Sequence, residues 1–173
     1  MRYLTLAALL ATALTSMPAV AADEPQGQMV VLKASQIGQI FCLSRLGNDE
    51  AVIQGILTDD LHKAIDAAEV KDGEFAKKYP GDKPPLGDGI GWQSSLDYGD
   101  TCDVGVVTLS KTDAKVEIKY TFTGYPDGAY TDTLILKKVP IDGMDVAYWR
   151  IDDVIYPDGS DLKSGLVTAF DTY

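Results

Sequence analysis

The sequence is poor in the side chains that most catalytic and metal sites use. Its 173 residues include one histidine and two cysteines, and 26 acidic residues outnumber 15 basic ones. So few histidines and cysteines do not make a typical zinc site. The acidic excess works against binding to phosphate backbones or anionic membrane surfaces. The sequence therefore predicts no metal, no other cofactor and no nucleic-acid partner.

The first residues have the pattern of a removable leader, and no later apolar run is long enough to span a bilayer. Residues 1–22 combine Arg2, an apolar stretch from Leu4 to Leu14 and small residues at 19–22, a pattern typical of a cleavable signal peptide. A membrane anchor is the alternative, but the stretch is well short of the roughly 20 residues that a spanning helix needs. We expect a periplasmic or secreted protein, cleaved at about residue 21 or 22.

The mature chain would be strongly acidic and long enough for one domain. The formal charge is −11, and loss of the leader removes Arg2 and no acid, which leaves −12. The remaining length suits a single compact core. We therefore divide the chain into a signal peptide at 1–22, a lead-in segment at 23–34 and a single α+β domain at 35–173.

The two cysteines predict one structural disulfide. Cys42 and Cys102 form the minimal even set in an exported chain, and such pairs are usually bonded in an oxidising compartment. A redox pair is the alternative, but it usually has two residues between its cysteines. A bond across about 60 residues would stabilise the fold by about 4 kcal/mol in the chain-entropy model.

The first half of the domain has helical spacing. Ser35 can cap a first helix that stops at Gly47-Asn48, with Leu43 and Leu46 widening its apolar stripe. A short second helix is predicted at 50–57. Thr58 can cap a third helix, whose apolar positions follow the i, i+3, i+4, i+7 pattern at Leu61, Ala64, Ile65 and Ala68.

From Cys102 onward the hydrophobic period changes to two. Strands are predicted near 102–109, 114–122, 130–138 and 146–156, and a last helix follows, capped by Ser160. The second strand is the clearest, because apolar and charged residues alternate along its whole length. The order indicates an α+β fold in which N-terminal helices pack on a curved four-stranded antiparallel meander with a short C-terminal helix.

Two segments resemble those of a known family. "DKPPLGDGIGW" at 82–92 and "WRIDDVIY" at 149–156 are similar to segments of exported bacterial proteins of unknown function. This resemblance implies the cone-shaped α+β fold of nuclear-transport-factor-2-like and cystatin-like proteins over about residues 35–170. It implies no reaction, since relatives of that fold include enzymes, ligand-binding modules and protein-binding domains.

The second of these segments contains a conflict in its alternation. Strict alternation places Asp153 on the same face as Trp149 and Ile151. A β-bulge near Asp152–Asp153 would resolve the conflict. Otherwise one aspartate is buried and must be paired, for instance with Arg150, or hydrogen-bonded. A carboxylate here could orient a ligand, or it could serve the structure alone.

The segment before the strands is a loop with candidate binding residues. Seven of the thirteen residues at 79–91 are Gly or Pro, which excludes regular structure. The loop lacks the strand and the Lys-Ser/Thr context of a phosphate-binding loop, and its aspartates lack EF-hand spacing. The lone His62 is interpreted as a solvated or edge-of-core residue. Aromatic residues beside such a loop are typical of protein-binding surfaces.

These observations favour binding over catalysis. We expect a small binding or protein-interaction domain, and an acidic inhibitor or immunity-type protein would attract a basic protein partner electrostatically. The alternative is a small-ligand carrier or an enzyme with a carboxylate-lined pocket inside the cone. A filled cone with an exposed aromatic and acidic rim would favour the first hypothesis, and a deep pocket the second. The candidate binding residues are Trp92, Asp97, Tyr98, Arg150, Asp152 and Asp153.

Overall fold

The computed structural model describes residues 31–172 and confirms the predicted mixed α+β fold. The predicted signal peptide lies outside these residues. The four strands form one antiparallel sheet in chain order. In sequence, the elements are α1 (Ala34–Gly47), α2 (Ala51–Gln54), α3 (Asp59–Lys78), β1 (Thr101–Leu109), β2 (Asp113–Thr121), β3 (Tyr130–Pro140), β4 (Ala147–Ile155) and α4 (Leu162–Thr168).

The helix signals in the sequence are largely confirmed. Asn48 adopts the left-handed conformation, with φ 47°, that ends α1. Thr58 caps α3, and its Oγ1 accepts a hydrogen bond from the Leu61 N–H at 3.2 Å. The start of α1 differs from the prediction, because Lys33 and not Ser35 is the N-cap residue.

One face of α1 was assigned wrongly. Leu43 and Leu46 were expected to widen its apolar stripe, yet both are exposed, whereas Arg45 is only 2% exposed. Arg45 follows Phe41 by four positions, so the two residues share the face that packs on the sheet. The bond from Cys42 to β1 keeps that face turned inward.

The chain between α2 and α3 turns at residues 55–56 and then pairs with β4. The Thr58 N–H donates to the Ile151 carbonyl, and the Ile151 N–H donates to the Ile56 carbonyl, both at 2.8 Å. Leu57 thereby forms a parallel bridge with the outer edge of β4. The helix predicted at 50–57 is shorter, because its last residues are used for this pairing.

The opposite edge strand, β1, contains an irregularity. Its pairing with β2 shifts between Val104 and Val107. Within this bulge the Val106 N–H donates to the Glu117 side chain at 3.1 Å. The bulge therefore gives Glu117, on the solvent-facing side of β2, a structural contact.

The space between the helices and the sheet is filled by side chains. Phe41 meets the Trp92 ring edge-on, with the ring centroids 6.3 Å apart. Gly38 allows α1 to lie close to the sheet, because a Cβ atom there would be 2.8 Å from Val116 Cγ1. The side chains that are completely buried include Phe41, Ile53, Trp92, Val116, Ile118, Leu134, Leu136 and Ile151.

The predicted disulfide is present. Cys42 on α1 is bonded to Cys102 on β1, with Cα atoms 5.2 Å apart.

Within residues 31–172, no helix is both long enough and apolar enough to cross a membrane.

The buried face of β2 yields a stability prediction. We expect Ile118→Ala to lower the free energy of unfolding by about 2–5 kcal/mol, because it leaves a cavity in the core. Lys115→Gln on the exposed face of the same strand should change it by less than about 0.5 kcal/mol. Chemical denaturation of both variants measures the two effects, and equal losses would contradict the assignment of the two faces.

Candidate functional site

The candidate binding residues separate into different parts of the structure. Trp92 and Tyr98 line a cleft of about 640 Å³, here called the loop cleft. Arg150 and Asp152 line a second cleft of about 420 Å³, here called the strand cleft. Asp97 and Asp153 line neither cleft. The six candidate residues therefore do not form one surface.

Asp152, in the strand cleft, is the extra residue of a β-bulge. Ile135 on β3 pairs with Asp153, and the next residue, Leu136, pairs with Ile151. The bulge turns Ile151 and Val154 toward the core, where both are completely buried. The bulge, one of the two arrangements that the sequence left open, is therefore present.

The Asp152 carboxylate is also buried and paired, although not with Arg150. Lys137 Nζ lies 2.8 Å from Oδ2, Lys163 Nζ lies 2.8 Å from Oδ1, and Thr58 Oγ1 donates to Oδ1 at 2.9 Å. Burial pushes the pKa of Asp152 upward, but these hydrogen bonds together hold it below its ordinary value. The carboxylate thereby connects β4 to β3, to α4 and to the start of α3.

Arg150 and Asp153 have other contacts. The Arg150 guanidinium stacks on the Tyr148 ring, 4.2 Å from its centroid. Asp153 Oδ1 accepts the backbone N–H groups of Val154 and Lys163 at 2.9 and 3.1 Å. Burial raises the pKa of Asp153. These contacts assign a structural role to Asp153, which holds the first turn of α4 against β4.

The cap of α4 differs from the prediction by one residue. Asp161 and not Ser160 is the N-cap, and its Oδ1 accepts the Ser164 N–H at 2.8 Å.

His62 lies at the rim of the strand cleft, 3.8 Å from Asp66. Among residues 31–172, no three His, Cys, Asp or Glu side chains cluster closely enough to hold a metal ion.

The loop cleft lies between the glycine-rich loop, the end of α1 and α4. The loop is attached to the fold at separated points. Leu86 N–H donates to Asp72 Oδ1 on α3 at 2.9 Å, and Tyr98 Oη donates to Asn48 Oδ1 at 2.7 Å. The Tyr156 hydroxyl donates to the Gly91 carbonyl. The apolar lining of the loop cleft includes Leu86, Ile90, Trp92, Leu162 and Leu166.

The rim of the loop cleft carries exposed apolar side chains. Leu96 is 97% exposed and Tyr98 is 47% exposed. The backbone beneath them is held by Gln93, whose Nε2 donates to the carbonyls of Ser95 and Asp97 at 3.1 Å. Asp97 therefore shapes the rim through its backbone, and its carboxylate is exposed beside Leu96.

The loop cleft also contains Arg45, which was not among the predicted site residues. Its guanidinium lies 5.7 Å from the Phe41 ring centroid and 5.8 Å from that of Trp92. Nη2 donates to Ser44 Oγ at 3.0 Å, and Nε has no partner among the described residues. Burial lowers the pKa of Arg45. Its spacing of four from Phe41 is the sequence signal that could have identified it.

A second group missed from the sequence lies beneath residues 93–98. Asp132 on β3 is completely buried; the Ser94 N–H donates to its Oδ2 at 3.0 Å, and Oδ1 has no partner among residues 31–172. Burial raises the pKa of Asp132. The rings of Tyr120 and Tyr130 are stacked, with their centroids 4.6 Å apart. Burial raises the pKa values of both tyrosines, and the charge of Asp132 raises them further. Alternation with Leu134 places Asp132 on the core face, which is the signal for its burial.

Comparisons of this chain with protein-family models, curated proteins and solved structures found no match. The suspected family and its fold name therefore stay predictions.

Substitution of Asp152 tests its structural role. We expect Asp152→Asn to lower the free energy of unfolding by about 1–3 kcal/mol at pH 7, because Lys137 and Lys163 lose their partner. Folding lowers the pKa of Asp152, so its stabilisation is present above the unfolded pKa of about 4 and is lost as the pH falls through the folded value. The difference between wild type and variant should therefore shrink in acid.

Denaturation curves at several pH values measure this difference. Asp145→Asn, at an exposed position, is the matched control and should change stability by less than about 0.5 kcal/mol. If Asp152→Asn unfolds like the wild type at pH 7, Asp152 does not stabilise the fold.

Asp132 should behave in the opposite way. Because folding raises its pKa, the folded state favours the protonated form, and wild-type stability decreases as the pH rises through and above the unfolded pKa. Asp132→Asn removes this loss. The free energy of unfolding of the variant at pH 7 should therefore equal that of the wild type or exceed it by up to about 1 kcal/mol. The advantage should disappear below about pH 4. A variant that is strongly destabilised at pH 7 would show that the charged carboxylate is needed.

Proposed function

We propose that this protein is an exported binding domain and that the loop cleft and its rim bind part of a partner protein. The observation that carries this proposal is the position of Leu96, which is 97% exposed beside an open cleft of about 640 Å³. Exposed apolar side chains next to a concave apolar surface are typical of the anchors that dominate protein interfaces.

The packing of the core supports binding at the surface rather than inside the cone. Phe41, Trp92 and Ile118 are completely buried between α1 and the sheet, so side chains fill the interior that the alternative hypothesis needs for its pocket. The carboxylate of Asp152, a candidate ligand-orienting group, is engaged by Lys137 and Lys163. Both observations favour the binding-domain hypothesis.

The anchoring of the loop supports the same proposal. Hydrogen bonds from Leu86 to Asp72 and from Tyr98 to Asn48 tie the loop to α3 and to the end of α1. A surface that is already ordered loses less conformational entropy on binding than a mobile one. The rim can therefore contribute its apolar side chains to an interface at a low entropic cost.

The partner that we propose is a basic protein. With residues 1–22 removed as a signal peptide, the chain has a formal charge of −12. A charge of this size accelerates encounter with a cationic partner and makes the rate sensitive to salt. The disulfide between Cys42 and Cys102 is compatible with the oxidising compartment in which such a complex would form.

A second candidate function is the binding of a small ligand in the same cleft. Small-molecule sites usually have volumes of about 300–1,000 Å³ and an apolar lining with a few polar groups. The loop cleft, at about 640 Å³, combines apolar walls with Arg45 and Glu50. This candidate differs from the first in that the rim residue Leu96 would contribute little to affinity.

Affinity capture from an envelope extract tests the first proposal. We expect the immobilised wild type to retain a basic protein at low salt and less of it at high salt. Leu96→Ala should weaken its retention by about tenfold or more, because truncation of an interface anchor costs roughly 2 kcal/mol.

The matched control is Leu109→Ala, which shortens an equally apolar, exposed side chain on β1. It should retain the partner like the wild type. Equal retention by the wild type and by Leu96→Ala would show that the rim is not the binding surface.

A further inference from the structure

The guanidinium of Arg45 is a buried positive charge that residues 31–172 leave largely unpaired. Only 2% of the residue is exposed, yet it forms part of the wall of the loop cleft. A guanidinium carries five N–H donors. Among the described residues, Arg45 makes one side-chain hydrogen bond, from Nη2 to Ser44 Oγ, and no carboxylate lies within ion-pair distance of it.

A buried charge in this condition is costly to the folded protein. Removal of a guanidinium from water without a carboxylate partner is unfavourable by several kcal/mol. The two aromatic rings of Phe41 and Trp92, at 5.7 and 5.8 Å, offset part of this cost through cation–π attraction. An anion that entered the cleft would meet a charge that is already desolvated and already held in place by those rings.

The other charged groups of the loop cleft do not neutralise Arg45 directly. Lys83 and Asp88 form an ion pair with each other at 2.9 Å. Glu50 also lines the cleft and is the carboxylate that most raises the pKa of Arg45, but it forms no ion pair with the guanidinium. Arg45 is therefore the group best placed to recognise a negative charge brought by a ligand.

We propose that the loop cleft binds a carboxylate attached to an apolar body, with the carboxylate on Arg45 and the apolar part against the accessible lining residues Leu86 and Tyr98. The planar guanidinium matches a carboxylate with two parallel hydrogen bonds. Ile90 and Leu162 are buried behind this lining and make the wall of the cleft apolar. This inference deepens the proposed function and rests on it for the location of the binding surface.

Two acid and amide pairs test the inference without any change to a residue that lines the loop cleft. Phenylacetate and phenylacetamide represent a free organic acid and its neutral analogue; N-acetylphenylalanine and its amide represent the end of a peptide chain. Trp92 reports binding by fluorescence in a Trp149→Phe background, since the chain has two tryptophans. We expect at least one acid to bind ten times more tightly than its amide.

The better of the two acids identifies the source of the carboxylate. Tighter binding of N-acetylphenylalanine than of phenylacetate would indicate the C-terminus of a partner protein. The reverse order would indicate a free small acid. Equal, weak binding of acids and amides would overturn the inference without requiring any substitution of Arg45.

Variants then connect the preference to the guanidinium. Arg45→Gln should abolish the preference for the acid, and Arg45→Lys should retain part of it, because the charge remains while the planar pair of donors is lost. Glu50→Gln removes a competing negative charge and should increase the affinity for the acid several-fold. Denaturation curves show which variants are folded, and an unchanged preference in folded Arg45→Gln would overturn the inference.

This experiment and the capture experiment can fail separately. If the acids show no preference while capture depends on Leu96, the proposed interface stands and the carboxylate site is wrong. If the preference depends on Arg45 while capture does not depend on Leu96, the carboxylate site stands and the protein-binding rim is wrong.

Discussion

The close contact between α1 and the sheet determines where everything else can lie. Gly38 lets the helix approach so closely that a single added carbon would meet Val116 at 2.8 Å. Four residues later, Cys42 bonds the same helix to β1. Because the helix can neither rotate nor retreat, Phe41 and Arg45 must face inward. The filled interior and the charged wall of the loop cleft both follow from this one contact.

Two buried aspartates show how differently one fold can treat the same side chain. Asp152 receives hydrogen bonds from Lys137, Lys163 and Thr58, so it joins three separate elements. Asp132 receives one from the Ser94 N–H, and its charge raises the pKa values of the buried Tyr120 and Tyr130. The first is an electrostatic cross-link. The second places a desolvated carboxyl beneath the rim of the loop cleft at the expense of stability.

The regular elements were predictable because their signals are local. In β2, one face is exposed to solvent and the other is buried, so buried side chains alternate with more exposed ones from Ala114 to Tyr120. The caps at Asn48 and Thr58 depend on single residues next to the helix. The bulge in β4 was also predictable, since an aspartate on an apolar face leaves few arrangements that avoid an unpaired buried charge.

The two candidate binding surfaces were not predictable in the same way. The loop cleft combines residues near 45–50, 83–98 and 156–169, and no local pattern reports that these segments meet. The partners of Asp152 are likewise distant in sequence; Lys137 comes from the neighbouring strand and Thr58 precedes a helix. Arg45 was missed because long basic side chains are almost always found at the surface.

The treatment of the two sheet edges bears on the behaviour of the protein at high concentration. An open strand edge offers a row of donors and acceptors to which another copy can add. On β4 the central positions of that row are occupied by Thr58 and Ile56, and on β1 the bulge at Val106 turns one donor back toward Glu117. Strand addition between copies is disfavoured at both edges. The protein can therefore reach a high concentration while its antiparallel sheet resists growth into a fibre.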